Sequence, residues 1–269
     1  MTLLAGRYRL GGAIGQGGMA VVRRADDRVL RQPVAVKMLT PDRAQNQAHQ
    51  AAVRREARTG VRLRHPNIAR VLDYGETDNA GPFLVMELVP GPTLAARLTA
   101  HGPLPWPEAA AACAGIARAL AAAHARDLVH RDVKPANIML APGGAKLVDF
   151  GFADRTGGPS TDADGRVWGT PAYLAPEQLH GRPTGPATDV YALALVLHSC
   201  LTGGPAWPGT DPDEVVRARV ARPVPRLSGV AGTLFDECVA IDPETRPTAE
   251  CFAYAIEALN HSESHGGRL

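Results

Sequence analysis

Cysteine is scarce: Cys113, Cys200, Cys238 and Cys251 are the only four in 269 residues, and no two form a C-x-x-C pair. That spacing argues against a zinc site or a disulfide framework and leaves buried free thiols as the expected state. A charge of one sign is lacking too, since 29 basic and 27 acidic side chains leave a net charge of +2. The balance gives no case for a nucleic-acid or polyanion binder, so partners must be read from local sites. Long hydrophobic runs are also missing. The longest, residues 191–197, stops at His198, far short of the ~20 residues a membrane-spanning helix needs. The N-terminal segment, interrupted by Arg7 and Arg9, is too short and polar for a signal peptide. A cytoplasmic location is the expectation, and no repeat or low-complexity domain stands out.

What is present is enough apolar material, 45% of residues, to build a core, over a length that allows one large domain or two lobes sharing a cleft. Abundant Ala, Arg, Gly and Pro suggest a GC-rich bacterial gene. Residues 8–14, 20–26 and 33–39 read as short strands rich in Val, Ile and Leu, separated by Gly or charged turns. A helix over 45–64 and strands over 68–74 and 83–87 complete a small α+β lobe with an antiparallel sheet. After Pro90-Gly91-Pro92 the texture turns helical. Pro107-Glu108 opens a long helix with Ala109, Cys113, Ile116, Leu120 and Ala123 at helical spacing. Thr188 is the expected cap of a helix carrying Val190, Tyr191, Leu193, Ala194, Leu197 and Leu201, apolar almost all round and so a core helix. Pro205, Pro208, Pro212, Pro223 and Pro225 mark a loop-rich stretch before a final helix over 248–259 and a polar, disordered tail.

The first chemical signal is Gly15-Gln16-Gly17-Gly18-Met19-Ala20-Val21-Val22, where small residues let backbone N–H groups approach phosphate oxygens. It departs from G-x-G-x-x-G at Ala20, and its strand-like flanks do not suit a dinucleotide fold, which needs a helix to follow. A plain glycine turn remains open. Next comes Lys37 at the inner end of Val34-Ala35-Val36-Lys37. A buried ammonium must be paired, and Glu56 on the following helix is the candidate; a solvated surface pair is the alternative.

More specific is His130-Arg131-Asp132-Val133-Lys134-Pro135-Ala136-Asn137, followed after one strand length by Asp149-Phe150-Gly151. Here residues 8–259 resemble the protein kinase family, in particular bacterial kinases of the eukaryotic type. The resemblance implies a bilobal α+β fold. Its N-lobe, about 8–86, would be a small antiparallel sheet with one main helix. A hinge at 87–89 would lead to a larger, mainly helical C-lobe over 90–260, with a polar tail at 261–269. It also implies ATP as substrate and Mg²⁺ as cofactor, with Mn²⁺ as an alternative ion. Asp132 would accept or orient the acceptor hydroxyl and Lys134 would lie against the γ-phosphate. Lys37, fixed by Glu56, would hold the α- and β-phosphates. Asn137 and Asp149 would supply hard oxygen ligands to the metal. Ile14, Gly15, Gln16, Gly17 and Gly18 would belong to the nucleotide loop. Val22 and Ala35 would cover the adenine from above and Met139 from beneath, with Met86 as gatekeeper and Glu87 and Val89 offering backbone groups to its edge.

Lys134 together with Thr170 in Gly169-Thr170-Pro171-Ala172-Tyr173 is similar to serine/threonine rather than tyrosine kinases. Ala175-Pro176-Glu177 and Arg246 imply a buried ion pair that anchors the activation segment, and Asp189 implies a carboxylate holding the catalytic loop. Within the activation segment Thr156, Ser160 and Thr161 are candidate phosphosites, and Arg131 could bind a phosphate placed there. Autophosphorylation in a kinase–kinase dimer is expected. Asp162 and Asp164 stand where related kinases carry phosphothreonine, and either substitute for it or form a solvated acidic loop. Arg54, Arg55, Arg58, Arg62 and Arg64 form a basic run that could meet a phosphorylated loop or be a solvated face. Ala20 and Thr93 depart from the family pattern without removing a catalytic group. Partners are expected to be protein substrates, with no nucleic acid and no membrane span. A kinase-fold scaffold without turnover and a small-molecule phosphotransferase are the rival readings.

Overall fold

The computed structural model describes residues 3–17, 20–77, 81–151, 153–160, 169–209 and 211–266. Two compact units form, Met1–Val89 with Asp149–Gly151 and Pro90–Val148 with Phe152–Leu269. In the first, β1 (Leu3–Leu4), β2 (Tyr8–Gln16), β3 (Ala20–Asp27), β4 (Gln32–Leu39), β5 (Val71–Thr77) and β6 (Gly81–Glu87) make a six-stranded sheet of order β1-β2-β3-β4-β6-β5, with α1 (Gln47–Gly60) between β4 and β5. All neighbouring strands are antiparallel.

Alternation along β4 decides what lies where. Val34 and Val36 turn to one side and pack with Leu4, Tyr8, Ala25, Phe83 and Val85 as an apolar core. Ala35 and Lys37 therefore belong to the opposite face. Helix α1 buries Val53, Glu56, Ala57 and Gly60, a stripe at spacings of three and four. Asn46 caps it, its side-chain oxygen accepting from Ala48 N at 2.9 Å and His49 N at 3.2 Å. At its other end Gly60 must be glycine, because a Cβ there would stand 2.3 Å from Val71 Cγ2 on β5.

The second unit contains α2 (Leu94–His101), α3 (Trp106–His124), β7 (Leu128–Val129), β8 (Ile138–Ala141), β9 (Gly144–Leu147), β10 (Asp154–Arg155), α4 (Pro176–Leu179), α5 (Pro186–Thr202), α6 (Pro212–Ala221), α7 (Gly232–Cys238) and α8 (Ala249–Gly266). Among the described residues its strands form two-strand ladders, β7 with β10 and β8 with β9. Helix α3 is buried at Ala109, Cys113, Ile116, Leu120 and Ala123 as expected, and its many alanines let α5 and α8 approach closely. The bilobal α+β architecture is therefore the one expected, a small sheet unit with one helix and a larger helical unit.

Several local expectations are corrected. Thr188 does not cap α5; Gly185 does, and Thr188 sits one turn in, its hydroxyl accepting from Gly185 N at 3.1 Å. The proline-rich stretch contains α6, because Pro212 occupies a first-turn position where its missing N–H is harmless and Asp211 caps Asp213 N and Glu214 N. The last helix continues through the polar tail to Gly266. Cys113, Cys200 and Cys238 are buried thiols, whereas Cys251 is exposed. Among the described residues no helix is long and apolar enough to cross a membrane.

Candidate active site

Sheet register gathers the nucleotide-loop and strand candidates of the first unit. Gly15 is opposite Val22, Val22 opposite Lys37, and Ala35 opposite Met86. Directly paired residues share a sheet face, so Gly15, Val22, Ala35, Lys37 and Met86 all lie on the face away from the apolar core. Ile14, Gln16 and Gly17 are exposed at the hairpin end, where Gly17 N donates to Ala20 O at 2.9 Å; Gly18 lies outside the described residues. Val89 is buried, while the Glu87 N–H is committed to Arg70 O at 2.8 Å.

The Lys37 ammonium donates to both Glu56 oxygens, at 3.1 and 2.8 Å, and to Asp149 Oδ1 at 2.6 Å. Burial disfavours the cation, but two carboxylates outweigh it and hold the Lys37 pKa above its ordinary value. Glu56 is in the reverse position. Burial pushes its carboxyl up to about 7 despite the attraction of Lys37, and the second carboxylate of Asp149 adds to the rise. Asp149 has a left-handed backbone, φ 64°, tied down by its own Oδ1 accepting from Gly151 N at 3.1 Å. Such a conformation is uncommon for a non-glycine residue and gathers at functional sites.

In the second unit Asp132 is 5% exposed and enclosed by donors. Lys134 Nζ lies 2.7 Å from Asp132 Oδ2 and 2.7 Å from Thr170 Oγ1, and the Thr170 hydroxyl donates to Asp132 Oδ1 at 3.1 Å. Asn137 Nδ2 donates to Asp132 O at 2.9 Å and to Asp132 Oδ2 at 3.1 Å, which fixes the orientation of the amide. Gly169 approaches this cluster with φ +111°; a Cβ would stand 2.6 Å from Leu174 Cδ2. Met139 is half-buried on β8, bridged to Thr93. Thr93 itself caps α2, accepting from Ala96 N at 3.1 Å.

Asp189, in the first turn of α5 and wholly buried, supports the loop that carries Asp132. It accepts from His130 N and Arg131 N at 2.8 Å each and contacts His124 Nε2 at 2.8 Å. Burial pushes this carboxyl up, but the His124 bond and the neighbouring charges prevail and hold it below the usual range. Arg131 adopts φ 68° between these restraints. His130 Nδ1 accepts from Asp132 N at 3.3 Å, so its Nε2 is the nitrogen that donates to Val148 O. Glu177 and Arg246 form a bidentate buried pair at 2.8 and 2.9 Å, with Thr188 donating to Glu177 at 2.9 Å. Burial alone would raise Glu177, yet the Arg246 bonds keep it low.

The activation-segment candidates fare unequally. Thr156 is exposed, but Ser160 is fully buried, so a kinase cannot reach its hydroxyl unless the segment opens. Thr161, Asp162 and Asp164 lie outside the described residues. Arg131 already donates to Pro159 O at 2.6 Å and faces Asp154 Oδ2 at 3.4 Å. Of the basic run, Arg54 pairs with Glu76 at 2.8 Å, and Arg58, Arg62 and Arg64 are exposed. Sequence reasoning missed His124, Gln178 and Arg219. Gln178 donates to Arg131 O at 3.1 Å, and nothing in the local sequence marks any of the three.

Residues 8–262 match the protein kinase domain family. The chain belongs to the protein kinase family. A probable serine/threonine-protein kinase of Corynebacterium efficiens is 41% identical to it over 225 residues, covering 81% of this chain and 34% of that protein. Serine/threonine-protein kinase PknD of Mycobacterium tuberculosis is 38% identical over 272 residues, 97% of this chain and 41% of the relative. PknH of Mycobacterium bovis is 38% identical over 246 residues, 90% and 41% of the two chains. This kinase domain thus spans 34–41% of the length of these curated relatives.

Proposed function

We propose that the chain is a serine/threonine protein kinase that transfers the γ-phosphoryl group of ATP to protein hydroxyls. The observation that carries this is the Asp132 carboxylate, contacted at once by Lys134, Thr170 and Asn137. Phosphoryl transfer asks for in-line positioning and charge neutralisation rather than covalent help. Asp132 takes the proton as the acceptor oxygen attacks the γ-phosphorus, and the bond to the β-phosphate oxygen breaks to release ADP. Lys134 neutralises the transferring group, and Lys37, held by Glu56, orients the α- and β-phosphates. Asn137 and Asp149 would hold Mg²⁺, which supplies charge neutralisation at the phosphate oxygens when bound. Val22, Ala35, Met86 and Met139 serve the adenine, with the Glu87 carbonyl and Val89 backbone at its edge. Glu177, Arg246 and Asp189 act as supports. Thr156 is the exposed candidate for autophosphorylation by a second copy of the chain.

Incubation with γ-labelled ATP and a basic protein should give magnesium-dependent labelling of Ser and Thr, lost in Asp132→Asn. No transfer to any protein, with nucleotide still bound, would mean a scaffold; labelling only of small-molecule acceptors would mean a different phosphotransferase.

A further inference from the structure

We infer that Arg219 is a positioning residue for the protein acceptor, pinning from α6 the turn that carries Thr170 onto Asp132. The inference rests on the kinase reading above. Arg219 Nη1 donates to Pro171 O and Nη2 to Leu174 O, each at 2.5 Å, so one guanidinium fastens both ends of the Pro171–Tyr173 turn. Its central carbon lies 4.4 Å over the Trp207 ring and 5.9 Å from the Tyr191 ring, and Nη2 also reaches the Tyr191 hydroxyl at 3.4 Å. Thr170 immediately precedes the pinned turn and places its hydroxyl against both Asp132 and Lys134.

This placement is energetically peculiar for a helix-surface arginine. Burial pulls the Arg219 pKa down, its Nε is enclosed without a partner, and the groups it holds are carbonyls, rings and a phenol rather than a carboxylate. A cation taken from water into such a setting gains nothing from ion pairing; the Trp207 ring and the charge-assisted bonds to two carbonyls offset its burial, and those bonds fix the backbone it grips. Proline explains why the grip is needed: Pro171 has no N–H with which to anchor its end of the turn. Among the described residues the turn is also held by Tyr173 N to Thr170 O at 2.9 Å, the Tyr173 hydroxyl with Ser199 Oγ at 3.1 Å, and Ala175 N donating to Gln178 Oε1 at 3.0 Å. None of these engages the Pro171 or Leu174 carbonyl oxygen that Arg219 holds. With Arg219 removed, Thr170 keeps its hydroxyl but loses the frame that presents it, and an acceptor chain meets a looser surface beside Asp132.

Steady-state kinetics with a peptide acceptor, on wild type, Arg219→Gln and Arg219→Lys, read this directly. Arg219→Gln is expected to raise the acceptor KM about tenfold, the scale of one charge-assisted hydrogen bond, with the KM for ATP unchanged. Arg219→Lys, which can hold one carbonyl but not two, should fall between. Hydrogen exchange supplies a second readout independent of turnover: peptides covering 169–175 should exchange faster in Arg219→Gln, and those covering 186–202 should not. Unchanged acceptor KM and unchanged exchange at 169–175 would overturn the inference. So would a parallel rise in ATP KM and in exchange throughout α5, which would mark a merely structural arginine. If wild type itself moves no phosphate to protein, the kinase reading fails and the acceptor role falls with it, while unchanged exchange at 169–175 alone would remove the pinning of the turn by Arg219.

Discussion

Lys37 answers two carboxylates with one ammonium, and that imbalance gives the site a pH dependence. The Glu56 carboxyl titrates near about 7 when folded, against its ordinary 4.5. Only the ionised form pairs fully with Lys37, so kcat/KM for ATP should climb between about pH 6 and 8, and Glu56→Gln should flatten that limb while lowering kcat/KM about 10–100-fold. Stability moves the other way. A carboxyl whose folded pKa is raised stabilises the fold fully below the unfolded value of 4.5, and the contribution is gone once pH passes about 7. The melting temperature of Glu56→Gln should therefore gain on wild type from about pH 5 to pH 8; a constant gap would contradict the assignment. Candidates of this kind were legible in sequence because short motifs name them: Lys37 follows the apolar run Val34-Ala35-Val36, and Asp132 and Asn137 share one loop. Arg219 was not, since its acceptors Pro171 and Leu174 lie 48 and 45 residues away and are main-chain atoms with no residue signature. Ser160 was legible as a hydroxyl, but its burial depends on packing that no local pattern encodes.

Among elements, α4 depends on a tie from outside itself. It is four residues long, too short to hold by its own hydrogen bonds, and Glu177 within it is fixed by Arg246, just ahead of α8, and by Thr188 of α5. Arg246→Ala should cost about 3–5 kcal/mol by stranding a buried carboxylate, read as a fall in the denaturant midpoint at unchanged slope. The paired replacement Glu177→Leu/Arg246→Met should recover most of it; if the double variant is as unstable as the single one, charge burial is not the cause. Helix α1 offers a gentler case, where Asn46→Ala should cost about 1 kcal/mol by releasing two N–H groups. Element boundaries were harder to read than element types. Prolines hid α6, because Pro212 starts a helix where a breaker was expected, and Thr188 resembled a cap although its hydroxyl closes the turn from inside.

At the scale of the whole molecule, sequence order foretold the two units but not their membership. Asp149–Gly151 pack with the first unit although they follow some sixty residues of the second, because the Lys37 ammonium holds the Asp149 carboxylate. Ligand linkage tests whether that arrangement serves a nucleotide. A ligand that binds only the folded chain stabilises it by about 2.7 kcal/mol at a hundred times its Kd, a rise of about 5–10 °C in Tm for a chain of this size. A non-hydrolysable ATP analogue with Mg²⁺ should give such a rise, and chelation should shrink it. Asp149→Asn should remove most of the magnesium-dependent part, and Lys37→Met should weaken the whole response. On the proposed role of its carboxylate at the acceptor proton, Asp132→Asn should keep the full thermal shift while its turnover falls about 10²–10⁴-fold. That pairing of intact binding with lost chemistry separates the roles of Asp149 and Asp132. A thermal shift lost equally in both variants would show that the two carboxylates do not divide the work.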